Sequence, residues 1–173
     1  MYFPCAELLG RHAAKVFELM SGLAPDRLEI SEADESEGPR FPLGVRVDFK
    51  GTTDSKKPLA GFFVCAFENS RAAGDIAAAI AAKLGVGFSL DAEQTGVENV
   101  LGEFLNVVIG LTCSDWAEHG LTTEFDPPQP LIVHEGDRKP SGSECYHLTL
   151  SAAGHPPVTI FLVFLPGEAD LSA

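Results

Sequence analysis

A long amphipathic segment between Asp91 and His119 constrains this chain more than any other feature, because it predicts the longest helix. Its apolar residues recur at three- and four-residue steps, the spacing that places them on one side of a helix. Gln94 can complete a capping box with Asp91, and Gly120 suits a left-handed cap at the other end. A helix of this kind must bury its apolar side, so the remaining elements have to supply a layer that covers it.

Strand-like runs on both sides of this segment supply such a layer. Val45, Val47 and Phe49 alternate with polar or small residues, the two-residue period of a half-buried strand. The acidic, turn-rich stretch 31–39 is typical of an exposed loop. The other predicted elements are a helix over 6–23, a hairpin that turns at 51–58 into a strand over 59–67, a helix over 70–84 with Ser70 as its cap, and strands over 121–125, 145–151 and 158–165.

The order helix, strands, helix, helix, strands predicts an α+β fold. We expect three main helices to cover one face of a largely antiparallel sheet. A chain of 173 residues has the usual size of a single domain, so we expect one domain over residues 1–173. Each half of the chain begins with an amphipathic helix and continues into strands that end in a hairpin. This likeness suggests a duplicated unit with an internal pseudo-twofold axis.

The charge balance limits the partners of the chain. It contains 12 Lys and Arg residues against 25 Asp and Glu residues, which gives a net charge of −13. An acidic surface of this size repels phosphate backbones and anionic lipids, so nucleic acid and membrane surfaces are poor partners. Apolar residues make up 45% of the chain, which is enough for a core and argues against global disorder.

The amino-terminal stretch and the cysteines favour a cytoplasmic protein. Residues 1–5 lack a basic start and a long apolar core, and no window approaches about 18 uninterrupted apolar residues. The cysteines are widely spaced, with no Cys-x-x-Cys pair and no histidines at ligand spacing. We therefore expect buried thiols in a reducing compartment and no metal site. The four thiols are Cys5, Cys65, Cys113 and Cys145.

One cysteine also matches a catalytic spacing. Cys65 and Arg71 have the Cys-x5-Arg arrangement of cysteine phosphatases. The residues between them include Phe67 and Glu68, whose bulk and negative charge oppose the glycine-rich anion cradle that such a loop requires. We interpret Cys65 as a buried strand residue.

Within the long helix, the stretch 96–110 separates into two sides when its residues are placed at about 100° per residue. Glu103 and Asn106 are three residues apart, so their side chains are neighbours on one stripe, with Gly102 at its border. Glycine in a helix costs up to about 1 kcal/mol relative to alanine, and solvent exposure alone does not require it. The stripe consists of Gly96, Asn99, Glu103, Asn106 and Gly110, and the apolar side consists of Val97, Val100, Leu101, Phe104, Leu105, Val107 and Val108.

Two interpretations of this stripe are open. The glycines remove side chains from around Glu103 and Asn106, as expected of a surface that another protein approaches closely. Alternatively, both polar residues are ordinary solvated residues, and the glycines allow tight helix packing inside the molecule. The pattern alone does not choose between them.

At these residues the sequence resembles the chemotaxis phosphatase family of CheC, CheX and FliY. The signature of that family is a helix with Glu-x-x-Asn and a proline farther along the chain. Glu103-Phe-Leu-Asn106 is similar to the helix motif, and Pro127 and Pro128 lie at a suitable distance. Asn99 occupies a position at which the family often has Asp or Ser.

The first-half helix lacks the motif. Its corresponding stretch, around Glu7-Leu-Leu-Gly10, contains no Asn. The resemblance is therefore to CheX-like members that have one site per chain.

This resemblance implies that the chain dephosphorylates the aspartyl phosphate of a CheY-like response regulator. It also implies a homodimer joined through the sheets, to which the alternating strands near the carboxyl terminus are suited. Mg²⁺ is expected on the regulator, so this chain binds no cofactor. A non-catalytic module that binds a regulator or another signalling protein is the alternative, and a purely structural protein is a third option. In the implied mechanism Asn106 orients the attacking water, Glu103 docks against a lysine of the partner, and Asn99, Gly96, Gly102 and Gly110 contact the partner.

Overall fold

A computed structural model describes residues 2–33, 43–85, 94–131 and 142–166 of the chain. The helices and strands within these ranges follow the predicted order, which confirms the α+β fold. The helices are α1 (Phe3–Ser21), α2 (Ser70–Leu84) and α3 (Gln94–Glu118), and the strands are β1 (Arg27–Glu32), β2 (Leu43–Thr53), β3 (Pro58–Phe67), β4 (Leu121–Phe125), β5 (Gln129–Pro130), β6 (Glu144–Ser151) and β7 (Val158–Phe164).

The strands form one antiparallel sheet in the order β1-β6-β7-β3-β2-β4, and the short β5 pairs with β2. Val45 and Val47 of β2 are buried with the helices on one face of this sheet, as their alternation predicts. Trp116 of α3 stacks on Phe63 of β3 with ring centroids 5.7 Å apart. The apolar side of the long helix therefore faces the core, where the sheet covers it.

Left-handed glycines end the helices as the sequence predicts. The backbone φ angle is 72° at Gly22, 69° at Gly85 and 81° at Gly120, values that glycine adopts without strain. In each case the chain can turn directly into the next segment. These three positions set the lengths of the helices.

Two predictions about helix starts have different outcomes. The predicted cap of α2 was wrong by one residue, because Asn69 rather than Ser70 accepts a hydrogen bond from the backbone N–H of Ala72, at 2.9 Å. Asn69 has the extended conformation that a cap requires. The predicted start of α3 at Asp91 lies outside the described residues, which include α3 from Gln94.

The strand β1 was missed by the sequence analysis. It pairs along its length with β6, and its only apolar residues, Leu28 and Ile30, are half-buried. Two apolar positions among charged ones give too weak a period for a strand prediction. Ser31 and Glu32, predicted to begin an exposed loop, are the exposed end of this edge strand, and residues 34–39 of that loop lie outside the described ranges.

The sheet has the expected internal pseudo-twofold symmetry. Its strand order reads the same from both ends when β1, β2 and β3 are matched with β4, β6 and β7. Val47 pairs with Phe63 in the first half, and Tyr146 pairs with Leu162 in the second. Val47 corresponds to Tyr146 and Phe63 corresponds to Leu162, and in both cases the residue numbers differ by 99.

The same shift relates α1 to α3. The Trp116 indole N–H donates to the Cys5 carbonyl oxygen at 3.3 Å. The symmetry-related contact is an edge-to-face packing of Phe17 against Phe104, with ring centroids 6.3 Å apart. Adding 99 converts Cys5 to Phe104 and Phe17 to Trp116. The two helices are therefore equivalent elements of a duplicated unit.

A smaller apolar cluster lies on the sheet face opposite the helices. Because β3 and β7 contribute alternate residues to it, these two central strands are buried on both faces. This is why their sequences lack a clear alternation of apolar and polar residues. The fully or nearly buried members of the cluster are Ala33, Phe62, Val64, Ala66, Cys145, Phe161 and Val163.

The cysteines are free thiols and mostly buried, as expected. Cys5, Cys65 and Cys145 are buried, whereas Cys113 is half-buried. Burial raises the pKa of the Cys65 thiol to about 12. A thiol with this pKa is not a nucleophile at neutral pH, which supports the interpretation of Cys65 as a core residue.

Candidate functional site

Helix α3 carries Glu103 and Asn106 outward, away from the sheet. Glu103 is exposed and Asn106 is partly exposed, and they are one helical turn apart. Within the described ranges, neither side chain has a hydrogen-bond or ion-pair partner. A carboxylate and a carboxamide are thus available side by side to another molecule.

The buried side of α3 fixes the direction of these two side chains. Leu101, Phe104, Leu105 and Val108 are each at most 1% exposed and belong to the main core cluster. Residues before and after the polar pair are therefore held in close packing, which limits rotation of the helix about its axis. The polar pair is carried by a rigid element rather than by a loop.

Gly102 makes a tight internal contact. A Cβ atom at this position would lie 3.2 Å from Cβ of Pro128, closer than ordinary van der Waals contact. Pro128 follows β4 in the loop that leads to β5, so this loop is pressed against α3 one residue before Glu103. The structure thus brings together the helix motif and the downstream proline that the resemblance to the CheC, CheX and FliY family noted.

Gly110 is the opposite case. A Cβ atom there would have nothing within 4 Å, so internal packing does not require glycine. Its φ angle is not among the positive ones, so helix geometry does not require glycine either. Of the two interpretations of the glycines, tight internal packing applies to Gly102, whereas Gly110 leaves open space on the outer surface.

Val107 was wrongly assigned to the buried side of the helix. It is 38% exposed, and Leu111, one turn later, is 41% exposed. Val107 lies at the edge of the apolar side, next to Glu103 of the stripe. A helical plot cannot tell where the neighbouring helices stop covering such an edge, which is why these two residues were not identified.

The remaining predicted contact residues lie on the first turns of the same face. Asn99 is exposed, one turn before Glu103, and within the described part of the chain it has no polar partner. Gly96 is partly exposed at the amino-terminal end of the stripe. The stripe from Gly96 to Gly110 is therefore outward-facing along its length, with Gly102 buried at its border.

A hydrogen bond joins α1 to α3 beyond the end of this stripe. His12 Nε2 lies 2.7 Å from Asp115 Oδ2, and the two side chains are 19% and 40% exposed. No cluster of three or more His, Cys, Asp or Glu residues suited to a metal ion occurs among the described residues. Among the residues of the stripe, Glu103 is the one with a charged side chain.

Two surface cavities in the described part of the chain lie away from the polar pair. One of about 510 Å³ is lined by the β2–β3 hairpin and β4, including Lys50 and Thr122. Another of about 400 Å³ is lined by α1 and the start of β4, including Arg11 and His119. Neither of these two cavities includes Glu103 or Asn106.

The equivalent face of α1 has different chemistry. The 99-residue shift matches Pro4 with Glu103, Glu7 with Asn106 and Arg11 with Gly110. The stretch that corresponds to the motif is therefore 4–7, and the predicted correspondence with 7–10 was wrong by one turn. All three α1 residues are exposed. The first half of the molecule therefore has no carboxamide and no glycine at the positions that match Asn106 and Gly110, and one site per chain stays a prediction.

By length and composition, Gly96–Glu118 is the one described helix that could cross a membrane. In this molecule its apolar residues pack against α1, α2 and the sheet. Its hydrophobicity is therefore accounted for by its central position in the core.

Comparison with known proteins gives a fold but not a sequence family. No family model and no curated protein matches the chain. A CheC-like superfamily protein from Shewanella sp. PV-4 matches with a TM-score of 0.70 and 16% identity, over 96% of this chain and 100% of that chain. A chain of the CheX–CheY–BeF3–Mg²⁺ complex from Borrelia burgdorferi matches with a TM-score of 0.68 and 16% identity, over 93% and 97%.

FliY from Thermotoga maritima is more distant, with a TM-score of 0.57 and 15% identity over 90% of this chain and 83% of that chain. These matches extend over nearly the whole chain rather than over a common motif. The chain therefore has the fold of the CheC, CheX and FliY chemotaxis proteins, as its resemblance to them predicted.

Proposed function

We propose that this protein is a phosphatase that removes the aspartyl phosphate from a CheY-like response regulator. The observation that carries the proposal is the unpartnered pair of Glu103 and Asn106 on the outer face of α3. The fold supports the choice of partner, since one of the matching solved structures is a complex of CheX with CheY, BeF3 and Mg²⁺. We place the protein in the cytoplasm, where response regulators act.

In the proposed reaction, the chemical role of this chain is to position the attacking water. Water attacks the phosphorus, the bond between phosphorus and the aspartyl oxygen breaks, and the aspartate leaves as a carboxylate while the water proton passes to phosphate. Asn106 has a carbonyl oxygen that accepts from the water and an amide that donates, so it can hold the water in line. A glutamine performs this orienting role in GTPases.

Glu103 has a docking role in this proposal. Its carboxylate pairs with a lysine of the regulator, and the charge-assisted hydrogen bond fixes the position of α3 against the phosphorylated pocket. The regulator supplies Mg²⁺, and the described residues of this chain supply no ligand to it. The net charge of −13 favours a partner with a basic face.

Decay of a phosphorylated regulator, with and without this protein, tests the proposal. We expect the wild type to accelerate decay and Asn106→Ala to lose about 100-fold or more of that acceleration while it still binds. Glu7→Ala, at the equivalent position of α1, is the matched control and should act like the wild type. Equal decay with wild type and Asn106→Ala would reject catalysis and favour the non-catalytic binding module.

A second variant separates docking from chemistry. Glu103→Ala should weaken binding by about 30-fold or more, since it leaves the partner's lysine without its counter-ion. Its activity should recover at high regulator concentration more than that of Asn106→Ala. If Glu103→Ala lowered the saturated rate without changing the concentration dependence, the assigned roles would have to be exchanged.

A homodimer remains a proposal. The strands expected to pair across the dimer axis lie inside the sheet, because β6 is flanked by β1 and β7, and β7 by β6 and β3. A dimer that extends the sheet would therefore have to use an edge strand, β1 or β4. Light scattering on the purified protein would show a mass of twice 18.4 kDa if the proposal is right.

A further inference from the structure

Gly110 leaves a gap between neighbouring side chains on the outer face of α3, and we call this gap the notch. Because a Cβ atom at this position would meet nothing within 4 Å, the space above the backbone is empty. Asn106 lies one turn before Gly110 on one side, and Val107 and Leu111 lie on the other. The notch is thus bounded by a polar residue of the proposed site and by two apolar side chains.

The apolar wall of this notch is unusual for the described surface. Only six large apolar side chains are exposed in the described ranges, and two of them are Val107 and Leu111. They are four residues apart, so they form one continuous apolar patch rather than two isolated ones. Glycine at an interior helix position has a cost that neither packing nor backbone conformation explains here.

We infer that the notch receives one aliphatic or aromatic side chain of the phosphorylated regulator, placed beside the lysine that pairs with Glu103. This inference rests on the proposed function and specifies the partner surface: a basic residue for Glu103 and an apolar one for the notch. The continuity of the notch with Asn106 means that a regulator engaging the polar pair must also cover the notch. An apolar contact there increases affinity and selects among regulators that share the lysine.

Binding rather than turnover tests the inference. The probes are the receiver domains of the same organism, each loaded with BeF3⁻ and Mg²⁺, titrated against the full chain by calorimetry. We expect Gly110→Leu, which fills the notch, and Val107→Ser, which removes its wall, each to weaken binding at least tenfold. Leu19→Ser changes an apolar side chain that is 63% exposed on α1, outside the notch, and is the matched control.

Misfolding would not explain the expected loss of receiver binding by Gly110→Leu. Gly110→Leu adds a side chain to open space and replaces glycine by a better helix former, so its thermal unfolding midpoint should equal or exceed that of the wild type. Arg11→Leu makes the corresponding change on α1 and should bind like the wild type. A Gly110→Leu protein that is folded and binds normally would overturn the inference.

The outcomes separate this inference from the proposed function. If the wild type accelerates decay but Gly110→Leu and Val107→Ser bind as tightly as the wild type does, the proposed function is supported and the inference about the notch is rejected. If the wild type binds a loaded receiver domain through the notch without accelerating decay, the inference about the notch is supported and catalysis is rejected. If no receiver domain binds, both are rejected.

Discussion

Helices α1 and α3 occupy equivalent places in the fold and yet have different outer faces. On their inner faces the 99-residue shift replaces one buried residue by another, so Phe17 corresponds to Trp116 and Leu9 to Val108. On their outer faces it replaces Glu7 by Asn106 and an exposed arginine by glycine. Equivalence inside and divergence outside show which part of each helix the fold requires and which part is available for function.

The largest expected effect tests the packing between the inner faces of the two helices. Phe17 and Phe104 pack against each other and are each 1% exposed. We expect Phe17→Ala and Phe104→Ala each to lower the free energy of unfolding by about 3–5 kcal/mol. Urea denaturation followed by circular dichroism would measure both, and a loss below about 2 kcal/mol for either variant would contradict the close packing of α1 against α3.

Thiol reactivity should also differ between the helices. Burial, helped by the negative charge of Glu144, raises the pKa of Cys5 on α1 from 9.0 to about 11. At pH 8 the thiolate fraction of Cys5 is then roughly a hundredfold below that of an ordinary cysteine. Burial also raises the pKa of Cys113 on α3, and a hydrogen bond with Thr123 opposes that shift. Because its side chain is half-buried and Cys5 is buried, Cys113 should react first with iodoacetamide, as peptide mass spectrometry would show. Equal rates for Cys5 and Cys113 would mean that α1 opens locally.

The outer faces should respond differently to alanine. Gly110→Ala adds a methyl group in open space and removes a helix glycine, so we expect the free energy of unfolding to rise by about 0.5–1 kcal/mol. Arg11→Ala, at the equivalent exposed position, should change it by less than about 0.5 kcal/mol. Thermal denaturation of both variants provides the measurement, and a destabilised Gly110→Ala would show that the space is occupied.

The smallest expected effect concerns the contact between the helices. Asp115→Asn removes the charge that faces His12, and since Asp115 is 40% exposed, the loss should be below about 1 kcal/mol. A double-mutant cycle of His12→Ala, Asp115→Asn and the two together, measured as free energies of unfolding, would give the coupling energy of the pair. A coupling well above 1 kcal/mol would mean that this contact, rather than apolar packing, sets how α1 meets α3.

Much of the fold could be predicted from the sequence because the strong periodic signals are local. Strand β4 was predicted with its observed ends, and left-handed glycines ended the helices where expected. Strand β1 could not be predicted, because its place at the sheet edge is defined by pairing with β6, more than a hundred residues away. Pairing partners of that separation leave no periodic trace in the sequence.

For the candidate site, the sequence identified the polar pair but not the surroundings. Glu103 and Asn106 could be placed on one stripe from helical spacing alone. The different reasons for the two glycines could not be predicted in this way. The reason for Gly102 depends on Pro128 from a later loop, and the reason for Gly110 depends on the absence of any neighbour within 4 Å. The exposure of Val107 likewise depends on where the adjacent elements end.

The duplicated architecture has a consequence for how such proteins change over evolutionary time. Pro4, Glu7 and Arg11 are all exposed, so substitutions at these positions leave the shared interior intact. Each half can thus differ in the outer surface of its helix without a change in the shared interior. A scaffold with two equivalent helices can therefore carry unlike outer surfaces and still remain one folded unit.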